Sequence, residues 1–129
     1  AVRKMVDIEQ VTYDVLSLAV PGVKWSAEYP QSFERHGLIK QMDNSVKMPS
    51  SSRPDHFSRI AVQIQVWMAT PEGRNEVERQ VDDAMLRLGL LRGCPNHLED
   101  EQEDGTVLYR TVLLYNGVYD NNTKRFYRS

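Results

Sequence analysis

The chain has 129 residues, 16 of them basic and 18 acidic, for a net charge of -2. It fits one domain, 1–129, whose core needs no metal or disulfide, and it is too short for two independent cores. The mixed charge and ordinary apolar fraction exclude a disordered or fibrous chain, and the slight negative balance gives no general drive towards nucleic acid or anionic membranes.

Asp7 can cap a first helix over 6–20, with Gln10 placed to return the bond, and Ile8, Val11, Val15, Leu18 and Ala19 recur at helical spacing before Pro21-Gly22 ends it. Val23, Trp25, Ala27 and Tyr29 alternate as a strand that Pro30 closes, and a weaker strand follows over 37–42. The segment 43–57 is rich in Asn, Ser, Pro and Lys and is read as a long mobile loop, either a binding segment or a tolerated surface insertion. Ile60, Val62, Ile64, Val66 and Met68 then share one face of a strand, with Ala61, Gln63, Gln65, Trp67 and Ala69 on the other.

Thr70 is placed to cap a second helix with Pro71 in its first turn, an apolar stripe of Val77, Val81, Ala84, Met85 and Leu88, and a left-handed stop at Gly89. Arg74 with Glu78 and Arg79 with Asp83 have i,i+4 spacing on its exposed face. The stretch 95–105, holding Glu99, Asp100, Glu101, Glu103 and Asp104, reads as a solvated acidic turn. A strand over 106–115 is apolar on both faces, which predicts a central position, and Arg125-Phe126-Tyr127-Arg128 is a short closing strand after a turn at 119–123.

The order α-β-β-β-α-β-β describes an α+β domain with a four- to five-stranded mixed, largely antiparallel sheet and two helices packed on one face. The face of Gln63, Gln65 and Trp67 is then solvated or covered by something else, most naturally a neighbouring subunit. Trp67 reads either as an interface anchor or as a Trp packed in its own domain.

Motifs for chemistry are weak. Cys94-x-x-His97 has the spacing of half a zinc site, with His36 and His56 the only other histidines, but no second close pair of ligands is present. There is no Gly-rich phosphate loop, no Gly-x-Ser-x-Gly and no His-Glu-x-x-His, so neither an enzyme nor a cofactor is expected. Asn121-Asn122-Thr123 fits a glycosylation acceptor but is read as a turn, and the basic, aromatic residues 124–128 form a short patch able to touch phosphates. The lone Cys94 forms no internal disulfide, no apolar run approaches the ~18 residues of a membrane span, and the first five residues lack a signal peptide's apolar stretch. A soluble, cytoplasmic protein is expected.

The helix ending in Pro21-Gly22, the extended 23–30 segment, the Arg59-to-Trp67 strand, the Thr70-Pro71-Glu72-Gly73 joint, the helix through Met85 and the late strands resemble the small tail-terminator or tail-completion proteins of long, non-contractile-tailed bacteriophages. The resemblance covers most of the chain and rests on pattern and order. It implies a hexameric ring that caps the tail tube, ends tube growth and provides the surface on which the DNA-filled head docks. The implied partners are the tail tube protein and the head connector or stopper, with DNA passing through unbound, and the implied location is the virion's head–tail interface after assembly in the host cytoplasm.

The family has no catalytic residues to carry over. Gln63, Gln65 and Trp67, with Met48, Arg53 and Phe57 of the long loop, are the candidate interface residues. Glu99, Asp100, Glu101, Glu103 and Asp104 are candidates to face a DNA-repelling lumen. A head-completion or neck protein, and a small cytoplasmic metal- or ligand-binding domain using Cys94 and His97, are the alternatives.

Overall fold

A two-residue rhythm needs a sheet with one dry face, and the strand Phe57–Met68 supplies it. In the computed structural model, which describes residues 7–26, 35–47, 57–120 and 123–127, the elements run α1 (Ile8–Ala19), β1 (Lys24–Ser26), β2 (His36–Lys47), β3 (Phe57–Met68), α2 (Pro71–Leu88), β4 (Leu91–Arg92), β5 (Asn96–Glu101), β6 (Val107–Asp120) and β7 (Arg125–Tyr127). The fold is α+β, with a mixed, mostly antiparallel sheet. In the sheet β1 lies parallel to β2, β2 antiparallel to β3 and β3 antiparallel to β6. The remaining edge of β6 is lined end to end by β5, β4 and β7, so the sheet is five strands wide.

Ile60, Val62, Ile64 and Val66 are fully buried and share a core with Ile8 and Leu16 of α1 and with Val77, Val81, Ala84 and Met85 of α2. Both helices therefore cover the same face. The second helix follows its sequence signals: Thr70 Oγ1 accepts the Gly73 N–H at 3.0 Å, Pro71 opens the first turn, and Gly89 closes the helix at φ 110°. A Cβ on Gly89 would meet the Phe126 carbonyl oxygen at 2.9 Å, which shows how tightly β7 seats against the helix end. Near the other end of the core, Trp25 donates its indole N–H to the Val20 carbonyl at 3.1 Å. Its ring occupies the space that a Cβ on Gly37 would need, 2.2 Å away.

Helix α1 departs from expectation in phase. Its buried line is Ile8, Thr12 and Leu16, continued by Val20, while Leu18 is 86% exposed. The i,i+4 row wins because Thr12 is small enough to enter the core, although its hydroxyl finds no hydrogen-bond partner there. Asp7 caps Gln10 N–H at 3.1 Å as expected, but the Gln10 side chain turns forward to Asp14 at 2.9 Å instead of back to the cap.

Two corrections concern segments read as loops. Asp43–Lys47 extends β2 and Phe57 begins β3, so the two ends of the expected loop 43–57 are paired strand, with a register shift at Gln41/Asp43, and 48–56 lie outside the described residues. Its Met48 and Arg53 lie outside the described residues, as do 27–30, 121–122 and 128. The acidic stretch is also mostly strand, with Asn96 to Glu101 pairing antiparallel with 107–112. Carboxylates are poor strand formers by propensity, but a sheet edge tolerates charge, and the ladder to β6 outweighs the local preference.

Candidate functional site

The face opposite α1 and α2, free of helix among the described residues, takes the odd residues of β3 and the even residues of β6. The ladder sets Gln63 opposite Leu114, Gln65 opposite Val112 and Trp67 opposite Arg110. On the same side β2 places Lys40 opposite Gln63, Leu38 opposite Gln65 and His36 opposite Trp67, while β5 brings Leu98 opposite Arg110. The sheet thus gathers residues from four strands on one surface.

A connected polar lattice holds its centre. Gln65 Nε2 donates to Gln63 Oε1 at 2.9 Å, and an Arg110 terminal nitrogen donates to Gln65 Oε1 at 3.2 Å. Arg110 Nε lies 3.2 Å from Asp100 Oδ2 as an ion pair, off the line of a hydrogen bond. The same carboxylate oxygen accepts the Trp67 indole N–H at 3.0 Å, and the guanidinium sits 5.8 Å from the indole centroid. One carboxylate therefore ties three strands together. Partial burial strengthens such contacts, and a charge-assisted hydrogen bond in this setting contributes about 1.5–3 kcal/mol.

Trp67, a candidate interface anchor on sequence grounds, is 1% exposed and joined to Asp100, so it is a packed residue of its own domain. Gln63 and Gln65 are half-buried on the open face, as expected. Beside them Leu98 and Val112 are half-buried and Leu114 is 37% exposed, so three apolar residues keep accessible surface on this face. The apolar members were legible in the two-sided pattern of 106–115. The role of Arg110 was not, because nothing in sequence spacing places it beside residues 45 and 43 positions earlier.

The acidic candidates do not share one surface. Asp100 belongs to the helix-free lattice, whereas Glu99 and Glu101 alternate to the opposite side of β5, and Glu103 and Asp104 sit in the turn before β6. Asp104 accepts from the Thr106 N–H at 3.0 Å and the Thr106 hydroxyl at 2.6 Å, and these bonds hold its carboxyl below the usual range.

On the helix side, His97 Nε2 is 2.9 Å from Glu78 Oε2, and the Thr111 hydroxyl donates to Glu78 Oε1 at 3.3 Å. Tyr115 donates to Asp82 at 3.1 Å, and burial, reinforced by the Asp82 charge, pushes its phenol pKa up. Glu78 thus pairs with His97 rather than Arg74, whose guanidinium lies over Tyr109, and Arg79 pairs with Glu76 at 2.6 Å rather than with Asp83. Cys94 is exposed, its sulfur 3.8 Å from the Pro95 carbonyl oxygen. Among the described residues no three His, Cys, Asp or Glu side chains are grouped to hold a metal ion. No described helix is long and apolar enough to cross a membrane.

Comparison with models of known protein families finds no match, and comparison with curated proteins finds no similar sequence.

Proposed function

We propose that the chain is a structural subunit that closes the end of a long, non-contractile phage tail as a ring, arresting tube growth and presenting a surface for the head connector. The observation that carries the reading is the helix-free sheet face. Leu98, Val112 and Leu114 stand partly exposed there beside the fixed lattice of Gln63, Gln65 and Arg110. A surface of that composition, with partly exposed apolar residues beside a fixed polar lattice, suits contact with another protein better than contact with water alone. The order of elements and the Thr70-Pro71 joint add the resemblance to tail terminators.

The test is growth of tail tubes of the same phage in the presence and absence of the purified chain, followed by electron microscopy. Arrested tubes with ring density at one end are expected. Tubes that lengthen without limit and end bare would overturn the reading.

A further inference from the structure

At the far end of β6, where α2 stops and β7 seats, a groove of about 460 Å³ is lined by Arg87, Leu88, Tyr119, Lys124, Arg125 and Phe126. The cations come from two separate parts of the chain, the last turn of α2 and the turn into β7, and all three are exposed. Among the described residues none of the three forms an ion pair. The floor is aromatic, with the Tyr119 and Phe126 ring centroids 4.8 Å apart. A positive groove with an apolar floor is a local exception in a chain whose net charge is -2.

The complementary surface lies at the other end of the same strand. Glu99, Glu101 and Glu103 are exposed, and among the described residues they too form no ion pair. The outer edge of β5 pairs with no other described strand. The register puts Glu99 and Glu101 opposite Tyr109 and Val107 and β7 opposite 118–120 of β6, so the acidic residues and the basic groove are roughly 35 Å apart along the strand at ~3.3 Å per residue. Two unpaired surfaces of opposite sign that far apart cannot satisfy each other within one molecule.

We infer that the acidic end of the sheet in one copy, Glu99 and Glu101 of β5 with Glu103 of the following turn, docks in the Arg87–Lys124–Arg125 groove of the next, a head-to-tail contact between copies of this chain. Such a contact is heterologous and closes into a ring when the rotation between neighbours permits, so the inference rests on the ring reading while supplying the surfaces. It assigns Glu99, Glu101 and Glu103 to a subunit contact and not to a lumen. The charged rim sets orientation and encounter rate, and the apolar floor gives the contact its dry centre.

The experiment is a charge swap read by sedimentation of the full chain. One variant reverses the groove (Arg87→Glu, Lys124→Glu, Arg125→Glu) and the other reverses the edge (Glu99→Lys, Glu101→Lys, Glu103→Lys). All six positions are exposed, and thermal melting of each variant checks that it folds. Wild-type chains should self-associate, and less so as salt shortens the screening length from about 10 Å at 0.1 M to about 3 Å at 1 M. Each variant alone should associate about tenfold more weakly or worse, and the two mixed should recover, because each then offers the other a matching surface.

A wild-type chain that stays monomeric, or variants that assemble normally, would overturn the inference. So would a mixture that fails to recover. Loss on groove reversal alone, with salt-dependent binding of a short single-stranded oligonucleotide, would assign the groove to phosphates and also overturn it. The tube-growth assay is read separately, so a chain that arrests tubes without this charge pairing would reject the contact and leave the tail reading standing.

Discussion

The two faces of the sheet are built from the same strands under different rules. The helix-covered face is mostly apolar: Ile60, Val62, Ile64, Leu113 and Tyr115 are all fully buried, and the hydroxyls of Tyr115 and Thr111 reach Asp82 and Glu78 on α2. The other face buries Trp67, Leu38 and Ala61 but keeps Gln63, Gln65, Asp100 and Arg110 half-covered in one lattice, with Leu114 open beside them. A face covered by its own helices is held chiefly by shape and apolarity, and its few polar groups find their partners on the covering helix. On the other face the lattice pairs most of the polar groups of Gln63, Gln65, Asp100, Arg110 and Trp67 with one another, which holds them in place at a half-covered surface.

The largest expected effect tests whether Trp67 belongs to the fold or to an interface. Trp67→Ala should cost about 3–5 kcal/mol in urea unfolding, as for other large buried aromatics. A loss below about 1 kcal/mol, with assembly impaired, would return Trp67 to the interface and blur the distinction between the faces.

Asp100→Ala comes next, because it leaves the Trp67 N–H and the Arg110 guanidinium without their shared acceptor. An expected cost of about 1–3 kcal/mol would show that the lattice stiffens the open face. An unchanged melting point would show that the lattice contributes nothing to the fold.

A smaller effect concerns His36, 7% exposed on the open face with a ring nitrogen lacking a hydrogen-bond partner. Burial, and secondarily the Lys24 charge, lower its pKa from the ordinary 6.5. The unfolded chain binds a proton here more readily than the folded one. The stability from neutral His36 is therefore complete above pH 6.5 and falls as the pH drops from there towards the folded value. Melting points recorded from pH 7.5 down to 5 should decline less steeply in His36→Gln than in the wild type; parallel curves would remove His36 as a cause.

Leu114→Ser should be the mildest change to the fold, within about 0.5 kcal/mol for an exposed position. It should still weaken association between copies or with the tube. Unimpaired assembly would mean that this part of the open face touches nothing.

Much of the architecture was legible because it is local. Thr70, Pro71 and Gly89 mark α2 by backbone chemistry alone, and the alternation of 60–68 needs nothing beyond the pleat. Where burial depends on distant partners, the pattern misleads. Leu18 looked like core and is solvent-facing, while Thr12 looked polar and is buried, because the phase of α1 is set by the packing of Leu16 and Ile8 against the sheet. The acidic residues 99–101 looked like turn and became strand through a ladder to 107–109 that only the closing of a tight turn at 102–106 could create. The basic groove was half visible as the patch at 124–128, and Arg87 joins it only through the seating of β7 on Gly89.

The most direct test of the central claim, that this is a self-assembling subunit of the tail end, is the mass of the purified chain in solution, alone and after mixing with tail tubes, by light scattering and sedimentation. The account predicts a hexamer, either free or formed on tube ends. A chain that remains monomeric and indifferent to tubes would contradict it.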